Sequence, residues 1–118
     1  MASVLVVEDD LVLAKGLKLR LEQVGLYVST VSTGTAARWD MLTSRYDAVV
    51  LDLGLPGQSG LDLMKQISSR TNPPPFIVLT GADAGDCDLA RSMGAARVLQ
   101  KPCPSWLLTK TVLSSIGK

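Results

Sequence analysis

The chain has 118 residues, 47% of them hydrophobic, and twelve basic residues against eleven acidic ones leave a formal charge of +1. That is the length of one domain with enough apolar material for a core, and the balanced charge, with no basic run or stripe, argues against a nucleic-acid or anionic-membrane surface. The absence of histidine removes the usual general base and the commonest transition-metal ligand, and two cysteines, Cys87 and Cys103, make neither a disulfide framework nor a zinc site.

Taken in order, the chain alternates short apolar runs with stretches of helical spacing. Val4 to Val7 is a strand that runs into Glu8, Asp9 and Asp10. Leu11, Ala14, Leu17, Leu21 and Val24 recur every three or four residues and predict a helix that stops at Gly25, with Asp10 as its N-terminal cap. Leu26 to Val31 is a second strand, and Thr35 to Ser44 a weaker helix carrying Trp39. Ala48 to Leu51 is a third strand ending in Asp52, followed by Pro56, Gly57 and Gly60 as loop chemistry and by a helix through Leu61, Met64 and Ile67. Pro73-Pro74-Pro75 makes a stiff turn into a fourth strand, Phe76 to Leu79, which ends at Thr80. Asp86 to Met93 is another weak helix. A fifth strand, Arg97 to Gln100, ends at Lys101, and Leu107, Leu108, Val112 and Ile116 form the last helix after Pro104-Ser105.

Short runs rich in Val, Ile and Leu read as strands buried on both faces. Five of them alternating with helices predict an α/β domain, a doubly wound parallel sheet with helices on both faces and right-handed crossovers, filling residues 1–118 as one unit. No apolar stretch approaches the ~20 residues of a membrane span, and no basic segment precedes a signal-like core. A cytoplasmic protein with reduced thiols is expected. Trp39 and Trp106 are expected to pack between helices rather than to stand exposed.

The strand-ending residues carry the chemistry. Each alone has a plain explanation: a helix cap for the acids, turn chemistry for Asp52, a strand end for Thr80 and a solvated lysine for Lys101. Parallel strands bring them to one sheet edge, the edge at which open α/β folds bind ligands. Glu8, Asp9 and Asp52 close together would repel one another unless a cation sat among them, and an all-oxygen set favours Mg²⁺. Lys101 is expected to supply a fixed positive charge on the other side of that ion, and the Thr80 hydroxyl a hydrogen bond. Such a set suits phosphoryl transfer, with an aspartate as a nucleophile that needs no base.

These residues resemble the response regulator receiver domain of two-component signalling over nearly the whole chain, Val4 to about Ile116. The pieces are V-L-V-V-E-D-D at 4–10, D-L-G-L-P-G-Q-S-G at 52–60, V-L-T-G at 78–81, M-G-A at 93–95 and Q-K-P at 100–102. The resemblance implies a flavodoxin-like sheet of strand order 2-1-3-4-5. It implies Asp52 as phosphoacceptor; Asp9, Asp52 and the Gly54 backbone carbonyl as Mg²⁺ ligands; and Glu8 as the acid that holds the ion, often through water. It implies Lys101 on the phosphoryl group, Thr80 moving toward it, small Gly81 leaving room for it, and a cis Lys101–Pro102 bond. The implied donor is a phosphohistidine of a sensor histidine kinase or histidine phosphotransfer protein. The implied output is a partner or a fused output domain, and the only reactions implied are the protein's own phosphorylation and dephosphorylation.

The chain departs from the family where Val98 replaces the usual Tyr or Phe of the last strand, leaving the usual output coupling open, with simple packing of Val98 expected. Ala96-Arg97 replaces a common acidic pair and Cys103 a Phe, and the charged residues of last-helix dimerisation are not evident. Gly54 and Ala82, flanking the site, cannot orient a hydrolytic water. Slow loss of phosphate is expected, against the opposite possibility of free water access. Two other readings stand beside this one. A receiver-like interaction module would work without phosphate, and an aspartate-nucleophile phosphatase would want a second acid where Gly54 stands.

Overall fold

Val4, Leu5, Val6 and Val7 are at most 1% exposed, and they form β1 (Ser3–Val7), the middle of the molecule. β-Branched residues on a pleated, doubly covered surface lose little by being extended, and the other apolar runs follow suit. They form β2 (Tyr27–Val31), β3 (Ala48–Asp52), β4 (Phe76–Thr80) and β5 (Arg97–Gln100). Between them run α1 (Leu11–Gln23), α2 (Gly34–Thr43), α3 (Gly60–Ser68), α4 (Ala84–Ser92) and α5 (Ser105–Ser115). The structure is a computed structural model that describes residues 2–55, 59–70, 72–81 and 84–117, the last without the side chains of 84–86. Pro56, Gly57 and Ala82, which the sequence singled out, lie outside the described residues.

All pairings are parallel and the sheet order is β2-β1-β3-β4-β5, the predicted doubly wound arrangement. Strand alternation divides the core in two. Leu5, Val7, Val49, Leu51 and Val78 meet Ala37 and Met41 of α2, Leu63, Met64 and Ile67 of α3, and Ala90 of α4. Val4, Val6, Ala48, Val50 and Ile77 meet Leu17 and Leu21 of α1 and Leu108 and Val112 of α5. No helix of the described residues is long and apolar enough to cross a membrane.

Three expectations need correction. Strands buried on both faces hold for β3 and β4, but β2 and β5 are edges: Tyr27 is 63% exposed and no β5 residue is fully buried. The apolar stripe of α1 is covered only in its middle: Ala14, Leu17 and Leu21 are buried, whereas Leu11 and Val24 at its two ends stand exposed. Trp39 and Trp106 do not pack between helices; each is 66% exposed. Trp39 is two residues past buried Ala37 and Trp106 two before buried Leu108, an offset of about 200° around a helix, which places both on outer faces.

Local chemistry sets the ends of the elements that present the site. Asp10 caps α1 by accepting from the backbone N–H groups of Val12 and Leu13 at 3.0 and 3.1 Å, as expected. Gly25 ends that helix with a φ of +89°, a backbone state that glycine enters without penalty. Gly60 begins α3 pressed against the end of β3, where a Cβ would lie 2.8 Å from the Asp52 carbonyl oxygen and from the Leu53 Cα. Both neighbours are backbone. Gly60→Ala should therefore lower stability by ~1–3 kcal/mol, seen as an earlier urea midpoint; an unchanged midpoint would contradict this close packing.

Candidate functional site

Register brings the chemistry to one level. Val7 pairs with Leu51, so Glu8 and Asp52 emerge side by side at the reversal of strand order between β1 and β3. Asp52 pairs with Leu79, which places Thr80 one step further on, and Thr80 pairs with Gln100, which does the same for Lys101. The Lys101 N–H donates to the Thr80 carbonyl at 2.9 Å, tying the last two residues together beyond the ladder. The Lys101–Pro102 bond is cis, as the resemblance implies.

Glu8, Asp52 and Thr80 are the buried polar or charged residues of the described chain, at 2%, 8% and 1% exposure. Asp9 is exposed, yet carboxylate oxygens of Glu8, Asp9 and Asp52 lie within 4.8 Å of one another. The three hard oxygen donors, with no histidine or thiolate among them, fit Mg²⁺. The Lys101 Nζ donates to Glu8 Oε1 at 2.8 Å and to Asp52 Oδ2 at 3.1 Å. The Gly54 N–H donates to the other oxygen, Asp52 Oδ1, at 3.0 Å. A side chain at Gly54 would meet only that oxygen, at 3.7 Å, and one at Gly81 would meet nothing within 4 Å.

This arrangement modifies the expectation for Lys101. Rather than facing the carboxylates from across an ion, its ammonium sits between two of them. Sequence alone carries no signal for this, because it depends on the register of β5 against β4. Nor does sequence reveal that Asp52 is held at both oxygens.

The electrostatics follow from burial and this bridge. Burial and the adjacent Asp52 push the Glu8 carboxyl up to about 7, and Lys101 only partly offsets them. Burial would also raise Asp52, but hydrogen bonds from Glu8, the Gly54 N–H and Lys101 outweigh it and hold Asp52 below the usual carboxylate range. Burial would lower Lys101, yet the two carboxylates win and raise it. Asp52 is therefore held in its ionised form at neutral pH. Its charge is what an electrophilic phosphorus requires of a nucleophile. Val98 is half-buried against the core beside α4 and packs as a simple strand residue. Cys87 is buried and Cys103 half-buried, and neither is in a disulfide.

Residues 4–113 match the family model of the response regulator receiver domain. The chain is 36% identical over 100 residues to the response regulator protein PmrA of Pseudomonas aeruginosa, a match covering 84% of this chain and 45% of that regulator. It thus spans less than half the length of that relative. The solved receiver domain of the Francisella response regulator 1452 superposes with a TM-score of 0.93 at 26% identity, covering 98% of this chain and 97% of that one. The receiver domain of sensor histidine kinase PA1611 from Pseudomonas aeruginosa, with a magnesium ion coordinated in its active site cleft, gives 0.89 at 29% identity over 99% and 98%.

Proposed function

The chain belongs to the response regulator receiver domain family, and from that premise we propose that it is a phosphorylation-dependent signalling switch whose phosphoacceptor is Asp52. The observation that carries this reading is the Lys101 ammonium, bonded to Asp52 Oδ2 and Glu8 Oε1 within a cluster of three carboxylates. We read residues 1–118 as one receiver domain, working in the cytoplasm, with output through a partner or a fused domain.

In this reading an Asp52 carboxylate oxygen attacks the phosphorus of a phosphohistidine on a sensor kinase or phosphotransfer protein. An O–P bond forms, the N–P bond breaks with its electron pair going to the imidazole, and the acyl phosphate remains on Asp52. Asp52 needs no base because it is already ionised. Its anchoring by Gly54 and Lys101 limits rotation of the carboxylate, which lowers the entropic cost of attack. Mg²⁺, held by Asp9, Asp52 and the Gly54 carbonyl with Glu8 behind, would supply positive charge for the phosphoryl oxygens. Lys101 turns from the carboxylate to the same oxygens, and the Thr80 hydroxyl moves to a third. The movement of Thr80 and its loop biases a two-state surface. Catalysis of other molecules is no part of this role.

The test is intact mass after incubation with acetyl phosphate and Mg²⁺, beside Asp52→Asn and a chelator control. One phosphoryl adduct, lost in both controls, is expected. A folded protein that takes up no phosphoryl group, with the labile ester protected during analysis, would turn the reading toward a phosphate-independent interaction module.

A further inference from the structure

A groove of about 570 Å³ runs between α1 and α5, on a helical face of the sheet rather than at its charged edge. Its α5 wall includes Trp106, Lys110 and Leu113, spaced four and three residues apart, so they form one straight stripe. Its α1 wall includes Arg20 and Val24 at the C-terminal end of that helix. Trp106 is 66% and Val24 42% exposed, a large apolar area for solvent to meet. Arg20 and Lys110 are exposed, no acid lines the groove, and neither forms an ion pair among the described residues. Glu22, the one acid of α1, lines the crevice on the other flank of the helix.

We infer that this groove is a docking site for an acidic amphipathic helix of a partner protein. Its apolar face covers Trp106 and Val24, and its carboxylates meet Arg20 and Lys110. The straight stripe on α5 matches the cylindrical shape of a helix, and an aromatic beside a cation is the composition that dominates interface energetics. A second copy of this chain is a poor occupant, since a two-fold contact would set Arg20 and Lys110 against their own kind. Nucleic acid is poorly served by two cations beside an apolar floor. The surface goes beyond the phosphoryl site, and its test is run in an Asp52→Asn background so that the result stands apart from phosphoryl chemistry.

The probe is a synthetic helical peptide of roughly fourteen residues, about four turns, with leucines on one face and glutamates flanking them. A Trp39→Phe background leaves Trp106 as the emitting residue. A blue shift of Trp106 emission that saturates with peptide is expected, weakened by salt and weakened about tenfold by the double variant Arg20→Glu/Lys110→Glu. Lys15→Glu/Lys18→Glu, on the other flank of α1, should bind like the parent. Three results would overturn the proposal: no shift with the acidic peptide, equal binding of a lysine-for-glutamate peptide, or binding indifferent to Arg20 and Lys110. Anionic phosphatidylglycerol vesicles or a duplex oligonucleotide shifting the emission where the peptide does not would also overturn it, in favour of a lipid or nucleic-acid surface.

Discussion

Lys101→Met should abolish phosphoryl uptake and also lower the stability of the protein, by about 3 kcal/mol at about pH 8. The substitution keeps the length of the side chain and removes its charge, leaving the buried Glu8 and Asp52 carboxylates facing each other without the ammonium that bonds both. An uncompensated buried charge costs more than the net worth of the pair it came from. The loss should shrink at lower pH, as Glu8 takes up a proton. It should shrink again in Glu8→Gln/Lys101→Met, where one of the two charges is gone. Urea unfolding of the four proteins forms a double-mutant cycle, and a strictly additive cycle would contradict the bridge. Loss of phosphorylation with full stability would mean that the lysine acts only on the phosphoryl group.

The second large effect is on pH dependence. Glu8 sits at about 7 in the folded protein against an ordinary value of 4.5. Below the lower value both folded and unfolded chains hold the proton, and above the higher one neither does. Between them the folded chain alone holds it, so stability without Mg²⁺ is greatest at the acid end and is lost as pH rises through 7, by ~3 kcal/mol at most. Asp52 works the other way: its contribution is present above the ordinary value of 3.8 and is lost as pH falls through its lowered folded value. The window between 4.5 and 7 therefore belongs to Glu8. Mg²⁺ should reverse the trend, because the ion competes with that proton. Its apparent affinity should climb with pH, by up to about tenfold per unit below pH 7, and level off above. Calorimetric titration across this range checks both slopes, and Glu8→Gln should flatten them. A flat wild-type profile would mean that Glu8 is ionised throughout.

The parts legible in the sequence were those that depend on the end of a run rather than on its neighbours. Glu8, Asp52 and Thr80 each directly follow an unbroken apolar segment, Lys101 follows Val98-Leu99 and then Gln100, and parallel strands of similar length carry such residues to one edge whatever the details. The order of strands came with the family resemblance. The position of Lys101 between Glu8 and Asp52 is not legible in this way, because it is set by pairing across β3, β4 and β5. The exposure of Trp39 and Trp106 escapes the composition for a related reason. Their burial depends on helix phase, and composition favours burying so large a ring wherever it falls. Phase was in principle readable from Ala37–Met41 and Leu108–Val112, the spacings that set the inner faces of α2 and α5.

The cap on α1 bears on how change at the acidic run would be tolerated. Glu8 is buried beside Asp52 just past the end of β1, Asp10 is spent on the first turn of the helix, and Asp9 is left exposed between them. Each acid owes its task to its distance from a different element. Inserting one residue between Asp9 and Asp10 would preserve every functional group and still give α1 a new start relative to the sheet. Tolerance at this edge should thus be poorer for changes of length than for conservative changes of type.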